Sequence, residues 1–254
     1  MIRVISIVVA TLLSGYILFA SFYFSEERQD MSCQSLQVVV KDSLEKHFIS
    51  ESDLVALLKK AQLDPRKQPM KSINTELIEK ELLKNEMISD IQAYKTPSGI
   101  IKLEVTQKMP IMRILSANGN YYVDNQGTTM PISSRYVAHV PVVSGYVEKS
   151  FAVSDLYKFA LFLQENEFWN DQIEQIYVHP DQEVELVPRV GSHRIMLGTL
   201  EGFEEKLAHL KLFYEQAIPK MGWEKYSMSN LKYKNQIVCT KKEDYGVHKL
   251  YSSY

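Results

Sequence analysis

The chain opens on an almost unbroken apolar stretch and then changes texture. Between Arg3 and Glu26 there is no charged residue, and the run from Val4 to Phe24 is 21 residues long. At about 1.5 Å per residue a helix of that length reaches roughly 30 Å, the thickness of a bilayer's hydrocarbon core. Ser6, Thr11, Ser14 and Ser21 can bond back to a helix backbone, and Tyr16 and Tyr23 suit the two interfaces. A cleaved signal peptide would need an apolar core of about 7–15 residues and small residues at −1 and −3 of the cut. Cuts after Ala20 or Ser21 would put Leu18 or Phe19 at −3. An uncleaved membrane anchor is therefore expected over residues 4–24, bounded by Val4 and Phe24. Arg3 and the terminal amine lie before it, and Glu26 and Glu27 after it. That asymmetry points residues 1–3 to the cytoplasm and everything beyond Phe24 outside it.

A charged linker, residues 25–34, leads to a short strand around Leu36–Val40. Ser50 with Asp53 three residues on reads as a capping box. Leu54, Leu57, Leu58 and Ala61 then share one face of a helix. Pro65 and Pro69 break the chain. Asn74 caps a second helix with Leu77, Ile78 and Leu82 expected inward. Ile88–Tyr94 reads as a strand and residues 96–99 as a turn. Ile101, Leu103 and Val105 alternate with Lys102, Glu104 and Thr106 at period two. Strand–helix–helix–strand–strand over residues 35–107 predicts a three-stranded sheet with two helices on one face. This order resembles that of the polypeptide-transport-associated (POTRA) domain, which implies a module that docks other proteins rather than one that does chemistry.

From Lys108 short apolar runs alternate with turn signals, the pattern of antiparallel strands and hairpins. Strands are expected at Ile111–Leu115, Tyr121–Asp124, Gln175–Val178, Glu183–Val187 and Arg194–Leu197, with a closing pair at Ser227–Tyr233 and Gln236–Thr240. One helix carries Leu156, Phe159, Ala160 and Leu163 inward, and another Phe203, Leu207, Leu210 and Phe213. Residues 108–242 thus form a mostly antiparallel β domain with two packed helices, and residues 243–254 a polar tail. The fold class is α+β, with one transmembrane helix ahead of two domains.

A net charge of −2 supplies no basic footprint, which argues against nucleic-acid binding. Cys33 and Cys239 cannot build a disulfide framework or a four-cysteine zinc site. The six histidines show neither HExxH nor ligand spacing with the cysteines. No G-x-S-x-G elbow or phosphate-binding glycine loop is present. No catalytic residue, cofactor or metal is expected, and the chain is not read as an enzyme.

The run IIKLEVTQKMPIMRI, then YYVDNQGTTMP, then HVPVVSG, resembles the junction of the FtsQ/DivIB family of bacterial cell-division proteins. VELVPRVGSHRIMLG is similar to that family's strand pair ending in Leu-Gly. SNLKYKNQIVC is similar to its Asp-Leu-Arg-Tyr-x-x-Gly-x-Val strand. Asn230, Lys232 and Gln236 stand where the family usually has Asp, Arg and Gly, and Thr199 where many members have Arg. The N-terminal tail is shorter than is usual in the family. The resemblance spans the whole chain and implies a non-enzymatic scaffold of the divisome, in the inner membrane and enriched at the septum, with its C-terminus in the periplasm. It would bind FtsB-like and FtsL-like single-pass proteins through the β domain and other divisome components through the POTRA domain. The alternative is a POTRA-type docking or chaperone module in envelope protein export.

The last strand is the candidate partner site: Tyr233, Asn235, Gln236, Ile237, Val238, Cys239 and Thr240. A strand at the end of the chain tends to lie at a sheet edge, where unpaired N–H and C=O groups can receive an incoming strand. On the pattern alone two readings stand. Lys232, Lys234, Lys241 and Lys242 could guard the edge against aggregation with Tyr233 a packed ring, or Tyr233 could be a binding hot spot. In the family the matching strand receives FtsB, and the resemblance favours binding.

Overall fold

The structure is a computed structural model that describes residues 9, 11–21, 31–41 and 48–242. Of the expected anchor, residues 9 and 11–21 are helical. Ser14 Oγ donates to the Thr11 carbonyl at 2.9 Å. Leu12, Ile17, Leu18 and Phe19 are exposed. Among the described residues no helix is long and apolar enough to cross a membrane. The rest of the expected span, Val4 and Phe24 included, lies outside them.

The chain divides into two compact units, Met1–Gln107 and Lys108–Tyr254. In the first, β1 (Ser35–Lys41), α1 (Glu51–Lys60), α2 (Thr75–Leu82), β2 (Ile88–Lys95) and β3 (Ile100–Gln107) follow in that order. The sheet order is β1-β3-β2, with β1 parallel and β2 antiparallel to the central β3. Two intervening helices give the chain the length it needs to return parallel. Ser50 and Asp53 form the expected capping box, and Asn74 Oδ1 caps α2 by accepting from Leu77 N. Leu54, Leu58, Ile101, Leu103 and Val105 are fully buried. Leu77, expected inward, is 50% exposed. Ile78 and Leu82, one turn apart, fill the inner face of this short helix, and Ile73 just ahead of the cap is buried in the same core.

The second unit is built on a nine-stranded sheet ordered β12-β11-β10-β9-β8-β7-β4-β5-β6. Its strands are β4 (Pro110–Ser116), β5 (Gly119–Asp124), β6 (Thr129–Met130), β7 (Val142–Gly145), β8 (Ile173–Val178), β9 (Val184–Pro188), β10 (Arg194–Gly198), β11 (Tyr226–Asn230) and β12 (Val238–Lys241). Five of its eight pairings are antiparallel and three parallel. Among the described residues five α-helices interleave: α3 (Lys149–Ala152), α4 (Asp155–Glu165), α5 (Glu167–Gln172), α6 (Phe203–Gln216) and α7 (Ile218–Met221). The expected α4 and α6 carry most of the packing, with Leu156, Phe159, Leu207 and Leu210 inaccessible. At the C-terminal turn of α6 the deeply buried ring is Tyr214 rather than Phe213, which only borders the core.

The Val-Asp-x-x-Gly hairpin shows what its aspartate does. Asp124 is 1% exposed. It accepts from Gln126 N, Thr128 N and Thr128 Oγ1, and Lys108 Nζ lies 3.1 Å from Oδ2. Burial pushes its pKa up, but the bonds from Thr128, Lys108 and Gln126 outweigh that and hold it below its ordinary value. The motif locks the turn.

Candidate partner-docking site

β12 ends the nine-stranded sheet. It pairs with β11 in the register Asn230↔Val238, Ser229↔Cys239 and Met228↔Thr240. Its other flank has no strand neighbour among the described residues. Two site residues, Gln236 and Ile237, were expected inside this strand, and the pairing instead begins at Val238. The reason lies in the preceding turn. Gln236 N donates to the Tyr233 carbonyl at 3.2 Å, and Asn235 takes φ 59°. Asparagine tolerates that left-handed conformation better than most residues, and here it falls beside the position where the family usually has glycine. Ile237 then dips against the core before the chain can extend. At the other side, the strand expected to run to Tyr233 stops at Asn230. Asn230 Oδ1 accepts from Lys232 N at 3.0 Å, a bond that the family's aspartate could equally make.

The seven expected residues therefore fall into two groups. Tyr233, Asn235, Gln236 and Ile237 line a groove of about 290 Å³ against the first half of α6, with Glu205, Lys206 and His209 in the opposite wall. Tyr233 is 56% exposed, so it is not a packed core ring. Val238 and Thr240 project from the exposed face of β12, while Cys239 is half-buried with Sγ 3.8 Å from Ser229 Oγ. Burial pushes the Cys239 thiol up. Both cysteines are free.

Sequence reasoning missed the groups that hold this edge in place. Lys206 Nζ donates to the carbonyls of Leu197 and Thr199 at 3.2 and 2.7 Å, tying α6 to the end of β10. Burial pushes its pKa down. At the far end of β12, Lys242 Nζ contacts Ser192 Oγ and lies 2.6 Å from Glu224 Oε2. The partners of Lys242 lie 18 and 50 residues away in sequence, so no local pattern could signal them.

Beneath that clamp His193 is 4% exposed, with Nε2 2.6 Å from the Tyr214 hydroxyl. Burial, and then the Lys242 charge, lowers its pKa. A histidine held neutral by the fold stabilises fully above its unfolded pKa of about 6.5, and that contribution is lost as pH falls through the folded value. The unit should accordingly be easier to unfold with urea at pH 5.5 than at pH 7.5. His193→Gln should flatten the difference; an unchanged pH dependence in that variant would remove His193 as its source.

The family model described as "FtsQ/DivIB, C-terminal related" matches residues 109–240, more than half of the chain. The chain belongs to the FtsQ/DivIB family. Residues 31–106 match a POTRA-like domain. Both are scaffold families without catalytic activity, and the protein is a divergent member of a cell-division family whose members act through protein–protein contacts. A comparison with curated proteins finds no match. Among the described residues no His, Cys, Asp and Glu group could hold a metal ion.

Proposed function

We propose that this protein is a membrane-tethered scaffold of the bacterial divisome whose second unit receives an FtsB-like strand on β12. The observation that carries the reading is the flank of β12 with no strand neighbour among the described residues, continuing into the groove where Tyr233 is exposed. Backbone hydrogen bonds from an added strand would supply affinity, and pockets for its side chains specificity. FtsL-like partners would be held with the FtsB-like one, and the POTRA-like unit would contact other division components. Together these contacts link the complex to septal cell-wall synthesis. The apolar run Val4–Phe24 would anchor the chain in the inner membrane, with residues 1–3 cytoplasmic and everything beyond Phe24 periplasmic. Confinement to one membrane raises the effective concentration of partners, so individually weak contacts suffice.

The test is affinity capture of the full-length protein from native membranes, compared with a chain ending at Ile237. Short single-pass FtsB-like and FtsL-like proteins should co-purify with the first and be lost from the second. Recovery of unfolded outer-membrane proteins instead would favour the export-module reading. Release of the intact protein by alkaline carbonate would overturn the tether.

A further inference from the structure

Lys232, next to Tyr233, is turned toward the body of the sheet. Its Nζ lies 2.5 Å from Oε1 and 2.7 Å from Oε2 of Glu183, the residue just before β9. On the way the lysine stem crosses Gly198, the last residue of β10. A Cβ at Gly198 would sit 2.8 Å from Lys232 Cγ, and φ there is +77°. Glycine's missing side chain and left-handed backbone leave a notch that the methylenes of Lys232 fill. The neighbouring backbone is also pinned, since Leu231 N donates to the Met196 carbonyl at 2.8 Å and Leu231 is buried.

We propose that Glu183 is a positioning residue for the docking segment: through Lys232, seated over Gly198, it sets where Tyr233 and the start of β12 meet the partner strand. The proposal rests on the strand-addition reading above. A lysine guarding an edge keeps its ammonium in water and repels incoming strands. The ammonium of Lys232, although exposed, contacts both oxygens of one carboxylate, which raises its pKa above the ordinary lysine value and directs it away from the edge. An exposed ion pair adds little to folding. Holding a docking segment in its bound position has a separate benefit, because it removes ordering entropy that association would otherwise cost. The effect of Glu183 should thus be read in partner affinity rather than in the melting midpoint.

The experiment uses the full-length chain and its FtsB-like partner. Glu183→Lys sets two like charges against each other and should weaken binding about tenfold, and Lys232→Glu should do the same. The double variant, with the pair reversed, should return to within about threefold of wild type. Gly198→Ala, which fills the notch while both charges remain, should weaken binding about fivefold. Melting midpoints should stay at the wild-type value for the charge variants. Wild-type affinity in Glu183→Lys would overturn the positioning role, as would a double variant no better than Lys232→Glu, which would mean that Lys232 touches the partner directly. Both results leave the docking reading standing if Tyr233→Ala still loses the partner. If Tyr233→Ala binds normally, the docking reading itself falls.

Discussion

Replacing Tyr233 with alanine is expected to weaken partner binding at least about tenfold while leaving the fold intact. A buried hot-spot tyrosine is commonly worth about 2 kcal/mol or more, and about 1.4 kcal/mol is a factor of ten. In the free protein the ring is 56% exposed, so its loss removes little packing. Surface changes of that kind usually stay within about 0.5 kcal/mol of wild-type stability. What the ring offers is a flat amphipathic surface lining the groove that leads into the edge strand. Titration calorimetry with the external segment of the FtsB-like partner measures the affinity, and a thermal melt of the same sample checks the fold. A variant that melts normally and binds normally would show that the partner does not use this groove. Tyr233→Phe separates the ring from its hydroxyl: retention of affinity would assign the contribution to the aromatic face.

Much of this architecture can be read from local pattern, because local pattern is what sets it. The period-3.6 spacing of Leu54 and Leu58, or of Phe159 and Leu163, dictates which helix face is buried. The alternation in Ile101, Leu103 and Val105 does the same for a central strand. Reading fails where a residue's neighbours are distant. Leu77 has the spacing of a core residue, but Ile73, Ile78 and Leu82 already fill the inner side of α2. The ends of β11 and β12 were misplaced by two or three residues because Leu231 and Ile237 are drawn into the core of the second unit, which interrupts the pairing between them. The order of the large sheet, with β7 inserted between β4 and β8, leaves no signature in any short window. The candidate site divides in the same way. Its edge strand and tyrosine follow from the last extended segment among the described residues, whereas Glu183 lies 49 residues from Lys232 and could be found only in three dimensions.

Phe159→Ala should have the largest effect on stability, and it also tests how the groove is built. Phe159 is fully buried on α4, with its ring edge-on to Phe203 at 5.2 Å and 80°. Phe162 meets the same Phe203 ring at 5.2 Å. Removing a buried phenylalanine costs about 3–5 kcal/mol, because the cavity collapses only in part. For a unit of this size that lowers the melting midpoint by roughly 10 °C. Phe203 is the first residue of α6, and α6 also carries Glu205, Lys206 and His209 in the groove wall. A cavity under Phe203 therefore loosens the end of the helix that faces Tyr233. Well below its melting midpoint the variant should stay folded yet bind the partner more weakly than wild type. Phe159→Leu, which refills most of the volume, should recover both stability and binding. If Phe159→Ala melts early but binds at full affinity when folded, α6 is not part of the docking surface, and the partner is held by the β12 edge and Tyr233 alone.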